Sequence, residues 1–140
     1  MTSKIRTIKE IAKSTLDGNG YRYEENGDIL RFYVEGNHCS VIVNMLCKED
    51  INLLAVYTTV NLYVQEDKQA EVVEQLNRWN NQSMISTLYL NPDDGRVVCR
   101  AACNSNDHAL NETVVHLVLA SAVDVIDTVY PDIIRMCSGV

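Results

Sequence analysis

Three short turns divide residues 21–64 into four strand-like segments, and the shortness of these turns limits the fold more than any other feature. Asn26-Gly27 is a strong hairpin signal, Gly36-Asn37 marks a second turn and Glu49-Asp50 a third. Strands joined by so few residues pair antiparallel, because a parallel pair needs a long crossover connection. The first half of the chain is therefore predicted to form an antiparallel sheet.

The last of these segments, residues 51–64, is the longest and is rich in β-branched and aromatic residues. Since side chains alternate along a strand, it has two faces. The predicted core face carries Leu54, Val56, Val60, Leu62 and Val64. The opposite face begins with Leu53 and Ala55 and continues with Tyr57, Thr59, Asn61 and Tyr63. These last four residues tolerate water yet can bind a protein, and we predict a partner-binding surface there; a solvated sheet face is the alternative.

Apolar residues at three- to four-residue spacing predict three helices. The first covers residues 4–17, with Ser3 as its N-cap and Gly18-Asn19-Gly20 as its end. The last begins near Asn106-Asp107 and runs to Tyr130, where Pro131 interrupts it, and residues 132–137 can add a final turn or two.

The second helix covers residues 66–80, and two further strands at 84–90 and 96–103 follow it. Its apolar face is predicted to contain Ala70, Val73, Leu76 and either Trp79 or Asn80. The order is α-β-β-β-β-α-β-β-α, which predicts an α+β fold: one antiparallel sheet with helices packed on it. A length of 140 residues is typical of one domain, so we expect residues 1–140 to form a single unit.

Catalytic and metal motifs are missing from the sequence. Cys99, Cys103 and His108 have a C-x3-C-x4-H spacing that matches no common zinc pattern. His38 precedes Cys39 directly, but adjacent strand residues point to opposite faces, so it is poorly placed to activate the thiol. There is no phosphate-binding glycine loop and no hydrolase elbow. We therefore expect neither an enzyme nor a bound cofactor or metal.

A small-molecule or metal-binding domain remains the alternative function. It would depend on His38, Cys99, Cys103 and His116, whose side chains carry nitrogen and sulfur atoms that can bind a metal.

The net charge of −7 argues against nucleic acid and anionic membrane as partners, because phosphates repel an acidic surface. The most apolar segment, residues 113–130, contains ionisable residues and is short for a membrane span. The sequence starts without a secretory pattern, and without an export signal the five cysteines are expected to be reduced thiols. We expect a cytoplasmic protein that does not bind a membrane.

The last predicted helix is apolar nearly all round. Val114, Leu117 and Val118 lie on one side, and Val115 and Leu119 on others. A helix that covers one sheet face needs a single apolar stripe. The extra apolar surface indicates a second buried contact, either within the chain or across a homodimer.

The segment "LNRWNNQSMISTLYLNPDDGRVVCR" and the order of elements resemble the YbjN family of bacterial sensory transduction regulators. The matching positions include Leu76-Asn77, Asn80, Leu88–Leu90, Asp94-Gly95 and Val97-Val98. Members of that family share the fold of the small type III secretion chaperones. The resemblance implies a non-enzymatic, dimeric module that binds another protein, as a regulator or a chaperone-like adaptor. No catalytic residue comes with it.

Overall fold

The computed structural model describes residues 6–105 and 110–138, and it contains three helices and six strands within those ranges. The elements are α1 (Ile8–Gly18), β1 (Glu24–Asn26), β2 (Ile29–Glu35), β3 (Ser40–Lys48), a 3-10 turn (Glu49–Ile51), β4 (Leu53–Tyr63), α2 (Glu66–Asn80), β5 (Ser86–Leu90), β6 (Arg96–Asn104) and α3 (Glu112–Ser138).

All six strands belong to one antiparallel sheet, in the order β1-β2-β3-β4-β6-β5. The predicted α+β fold and its element order are confirmed. The first hairpin turns one residue later than Asn26-Gly27, because Asn26 pairs with Ile29 and leaves Gly27-Asp28 at the centre. Gly27 has a φ of 59°, which suits glycine at the first central position of such a turn.

The helices pack on one face of the sheet and enclose the core with it. α3 lies along β4, β5 and β6, while α1 packs on α3 and β3, and α2 on β5 and α3. Thr58 points towards α3 from the middle of β4, and its hydroxyl donates to the carbonyl of Ala122 at 2.8 Å. The predicted core residues Leu54, Val56 and Val60 are buried beside it.

Two helix boundaries differ from the predictions. α1 begins at Ile8 rather than at residue 4, because Thr7 and Glu10 form a reciprocal capping box that fixes the start. The predicted cap Ser3 lies outside the described residues. α3 begins at Glu112, where the Asn111 side chain accepts the backbone N–H of Val114. Asn106-Asp107, the predicted start, also lies outside the described residues.

The prediction that Pro131 interrupts the last helix was wrong. α3 continues through Pro131 to Ser138. A proline inside a helix removes one backbone hydrogen bond at a cost of about 3 kcal/mol. The turn beyond it places Ile133 fully inside the core, and this burial offsets much of the loss.

The predicted apolar face of α2 is partly wrong. Leu76 is buried as expected, but Ala70 and Val73 are exposed and Val72 is buried in their place. The buried side of the helix is therefore rotated relative to the prediction. It is also narrow, and a narrow stripe is enough for contact with the edge strand β5 and with α3.

Candidate functional site

Alternate residues of the strands point away from the helices, and we call the surface that they form the open face. The pairing register arranges its centre in three rows of side chains that run across the strands. The tyrosine row consists of Tyr33, Ile42, Thr59, Val98 and Tyr89. The arginine row consists of Arg31, Asn44, Tyr57, Arg100 and Thr87. The aliphatic row consists of Ile29, Leu46, Ala55 and Ala102.

The open face is packed separately from the core. Ala55 is 1% exposed and Val98 is 9% exposed, yet neither belongs to the hydrophobic cluster between sheet and helices. Their cover comes from larger neighbours on the same face, such as Ile42, Leu46 and Tyr57, which are half-buried. No helix among the described residues covers this side of the sheet. The result is a broad, partly apolar surface that faces outwards.

The four residues predicted to bind a partner all lie on this face, but in different surroundings. Tyr57 and Thr59 are half-buried in the middle of the sheet, in the arginine and tyrosine rows. Asn61 is exposed where the register between β4 and β6 is irregular. Tyr63 pairs with Arg96 beyond that irregularity; the Arg96 side chain donates to the Tyr63 hydroxyl and lies 4.6 Å from the ring centroid. The four residues thus lie along β4, from its middle to its C-terminal end, and do not form a pocket.

Sequence reasoning missed the residues that surround Tyr57 and Thr59 on the neighbouring strands. Alternation places Arg31, Ile42 and Arg100 on the outer faces of their own strands, and that signal is present in the sequence. What the sequence lacks is the pairing of distant strands: β4 lies beside β6, not beside the next strand along the chain. Only that order brings Arg100 next to Tyr57.

The open face carries positive charge in an otherwise acidic protein. Arg31, Lys48 and Arg100 lie on it, and none of them forms an ion pair with a described residue. Its strand positions add one further cation, Arg96, and two carboxylates, Glu24 and Glu35. Four cations against two carboxylates contrast with the net charge of −7 for the whole chain. The face is therefore suited to a partner of opposite charge.

Tyr57 and Arg100 lie close enough to Tyr89 on the open face to change its pKa. Burial raises the pKa of Tyr89, and the nearby Tyr57 raises it further, while the positive charge of Arg100 lowers it. Tyr89 therefore stays protonated and can donate a hydrogen bond from the open face at neutral pH.

The cysteines are poor nucleophiles. Burial raises the pKa of the Cys99 thiol to about 11, and burial with the nearby Asp127 carboxylate raises that of Cys39 to about 12. Cys103 also has a raised pKa because it is buried. Within residues 6–105 and 110–138, no three His, Cys, Asp or Glu side chains come close enough together to hold a metal ion. His108, from the C-x3-C-x4-H spacing, lies outside the described residues.

A cleft of about 320 Å³ lies on the helix side of the molecule, between α3 and the turn that joins β2 to β3. Its lining is mixed: apolar side chains such as Tyr21 and Leu119 lie beside polar ones such as His116 and Asp124. It contains one of the four residues, His116, on which the small-molecule alternative depends.

Asp127 fixes the turn beside this cleft. Its carboxylate accepts the backbone N–H groups of Asn37 (2.9 Å), His38 (2.9 Å) and Cys39 (3.2 Å) and is only 6% exposed. Burial alone would raise the pKa of Asp127, but these hydrogen bonds outweigh it and hold the pKa below its usual value. A Cβ at Gly36 would lie 2.3 Å from Asp127 Oδ1, so this approach requires glycine.

The segment "LNRWNNQS" has a structural role at the edge of the sheet. Asn80 Oδ1 accepts the N–H of Leu88 at 2.8 Å, and Asn80 Nδ2 donates to its carbonyl at 2.9 Å. Ser83 donates to the carbonyl of Ser86 at 2.6 Å. These side chains occupy backbone groups of β5 that would otherwise be free to pair with another strand. The sequence predicts that Asn80 or Asn81 ends the second helix in the left-handed conformation. This prediction was wrong: Asn81 has an ordinary helical conformation, and no described asparagine other than Asn52 has a positive φ.

Fold and site together define a small α+β domain in which helices cover one face of an antiparallel sheet, while no helix within the described ranges covers the other face. A family model described as "YbjN: Putative bacterial sensory transduction regulator" matches residues 10–135. The chain therefore belongs to the YbjN family, as the resemblance implied. No curated protein matches the chain significantly in sequence.

Solved structures support the fold. The crystal structure of YbjN from E. coli, described as a putative transcription regulator, superposes with a TM-score of 0.68 at 12% identity and 91% coverage of both chains. A chain of the HopA1-SchA chaperone-effector complex gives 0.60 at 11% identity, covering 84% of this chain and 88% of its own. A chain of the ExsC-ExsE complex gives 0.62 at 14% identity, covering 89% and 94%. The predicted likeness to secretion chaperones is confirmed at the level of fold.

Proposed function

We propose that this protein is a non-enzymatic interaction module that binds another protein on its open face, as a regulator or a chaperone-like adaptor. One observation carries the proposal: the three rows form a wide, partly apolar surface that no described helix covers. Contiguous exposed apolar surface on a small protein usually marks an interaction site. Tyr57, Thr59, Asn61 and Tyr63 would contribute hydrogen-bonding groups beside that apolar area.

The relatives support a role in protein binding. The family description names a regulator of sensory transduction, and one structure of similar fold comes from a chaperone-effector complex. Identities of 11–14% carry only the fold, so this support is by analogy. The partner of this chain is a protein of unknown identity.

A cytoplasmic location and a homodimer are part of the same proposal. By length and composition α3 could cross a membrane, but nine of its residues are buried in the folded domain, most of them in the hydrophobic core. On its outer side Leu117 is 53% exposed and Ile134 is 37% exposed. Leu117 belongs to the apolar side that the sequence indicates, together with Val114 and Val118, and a second copy of the chain would cover the area that it leaves exposed.

A photo-crosslinker tests the binding proposal directly. Benzoylphenylalanine at Thr59 lies in the middle of the open face, and the same group at Glu71 lies on the exposed side of α2. Irradiation of cells should give protein adducts from the Thr59 position in excess of those from the Glu71 position. Equal yields from the two positions, or none from Thr59, would contradict the proposal.

A small-molecule site is the second candidate, and the cleft beside α3 is the observation that favours it. A ligand bound there would contact His116. Thermal-shift screening of metabolites should then find a compound that stabilises the wild type but not a His116→Ala variant.

A further inference from the structure

The arrangement of charge and apolar area on the open face indicates what kind of segment would bind there. The arginine row has two guanidinium groups, Arg31 and Arg100, with Asn44 and Tyr57 between them; Glu24 on β1 lies opposite Arg31 without forming an ion pair with it. The tyrosine row lies on one flank of it and the aliphatic row on the other. A ligand that follows the arginine row would therefore meet cations near two points of its length and apolar side chains on both sides.

We propose that the open face binds an acidic amphipathic helix of a protein partner, laid across the strands along the arginine row. The inference rests on the proposed function and adds the chemistry of the partner. Neither Arg31 nor Arg100 forms an ion pair with a described residue, so both guanidinium groups are available to carboxylates.

The dimensions of the face set the spacing of those carboxylates. Arg31 and Arg100 lie on β2 and β6, which are three strand steps apart. At about 4.8 Å per step, their backbones are about 14 Å apart. An α-helix rises about 1.5 Å per residue, so acidic residues two to three turns apart, about 7 to 11 positions, would reach both arginines.

The width of the three rows suits a helix as well. Rows on one face are two residues apart along each strand, about 6.7 Å, so the two flanking rows lie about 13 Å apart. A helix with its side chains is about 10–12 Å across. One helix over the arginine row would contact Ile42 on one flank and Leu46 on the other.

Protein is favoured over nucleic acid as the occupant. Single-stranded nucleic acid binds to exposed rings on which its bases stack. Here the exposed rings, Tyr33 on β2 and Tyr63 at the end of β4, lie on different strands, and Tyr57 and Tyr89 are half-buried. The area that flanks the arginine row is largely aliphatic, with Ile29, Ile42 and Leu46. The net charge of −7 would also repel a phosphate backbone outside the open face.

Mapping the adducts of the Thr59 crosslinker tests this inference, with the full chain expressed in cells. The crosslinked peptides should come from amphipathic helical segments that carry Asp or Glu at separations of about 7 to 11 residues. Replacing both cations, Arg31→Gln with Arg100→Gln, should lower the adduct yield about tenfold. The matched control, Arg78→Gln with Arg135→Gln, makes the same change of charge on exposed helical arginines and should leave the yield unchanged.

Each outcome has a separate meaning. Adducts with neutral or basic protein segments would overturn the acidic helix and leave the proposed function intact. Adducts with nucleic acid or lipid would overturn both. A lack of adducts at Thr59 would refute the proposed function, and the inference with it. Circular dichroism of the double arginine variant should show a native spectrum, which makes a loss of yield a loss of binding.

Discussion

The two faces of the sheet share the same strands but have different compositions. On the helix-covered face the strand residues are almost entirely apolar, and the buried hydroxyl of Thr58 has a hydrogen-bond partner in α3. On the open face arginine, asparagine and tyrosine interrupt the apolar rows, and Ala55 and Val98 are buried outside the hydrophobic core. The apolar composition of the helix-covered face is needed for folding, because burying an unpaired charge there would cost free energy. The polar residues of the open face are not needed for folding, and this difference locates the candidate site.

Neighbouring residues on β2 provide the sharpest test of this difference. Phe32 is 1% exposed, and its ring centroid lies 5.3 Å from that of Tyr21, whereas Tyr33 is 61% exposed on the open face. Phe32→Ala should lower the free energy of unfolding by about 3–5 kcal/mol. Tyr33→Ala, the matched control, should lower it by less than about 1 kcal/mol. Urea denaturation of both variants measures this, and equal losses would mean that the open face also contributes to the core.

The one carboxylate buried on the helix side, among the residues that the structure describes, is expected to have the next largest effect. Asp127→Asn removes a charged acceptor from three backbone N–H groups and should cost about 2–3 kcal/mol at pH 7. Because the pKa of Asp127 is lowered in the folded state, its contribution is present above the unfolded pKa of about 3.9 and is lost as the pH falls through the folded value.

Urea denaturation at several pH values separates this carboxylate from the others. The difference in stability between wild type and Asp127→Asn should be largest near pH 7 and should shrink towards pH 3. Asp124→Asn changes an exposed carboxylate one turn earlier and should stay within about 0.5 kcal/mol of the wild type. A difference between wild type and Asp127→Asn that does not change with pH would show that the ionised carboxylate is not what holds the turn.

The edge of the sheet should be less sensitive. Asn80→Ala removes both side-chain hydrogen bonds to Leu88 and should cost about 1–2 kcal/mol. Asn77→Ala changes an exposed asparagine in the same helix and serves as control. Hydrogen exchange should also show faster exchange of the Leu88 amide in the Asn80 variant alone. An unchanged exchange rate would mean that other contacts protect β5.

The core face could be predicted well from the sequence, and the reason is local. Alternation along β4 identifies Leu54, Val56 and Val60 without any knowledge of the neighbouring strands. The same holds for the hairpins, since short connections leave only antiparallel pairing. The end of α3 was not predictable in this way. Whether the helix continues past Pro131 depends on the core position that Ile133 finds beyond it.

The candidate site could be predicted only along one strand. Tyr57, Thr59, Asn61 and Tyr63 share the outer face of β4, and alternation is enough to group them. Arg100 lies beside these residues because β6 pairs with β4. This long-range pairing depends on the packing of β5, β6 and α3 together. The role of Asn80 was also missed, because a side chain that hydrogen-bonds to the backbone eight residues away leaves no periodic pattern in the sequence.

Substitutions in the arginine row should have the smallest effect on stability, as expected of residues that bind a partner rather than support the fold. Arg31 and Arg100 form no ion pair with a described residue, so Arg31→Gln and Arg100→Gln should each change the free energy of unfolding by less than about 0.5 kcal/mol. Urea denaturation at low and high salt measures this. A loss of more than about 1 kcal/mol would show that the arginines support the fold and would count against their role in binding a partner. Nearly unchanged stability combined with an about tenfold loss of crosslinking at Thr59 is the pattern expected of residues that bind a partner and contribute little to folding.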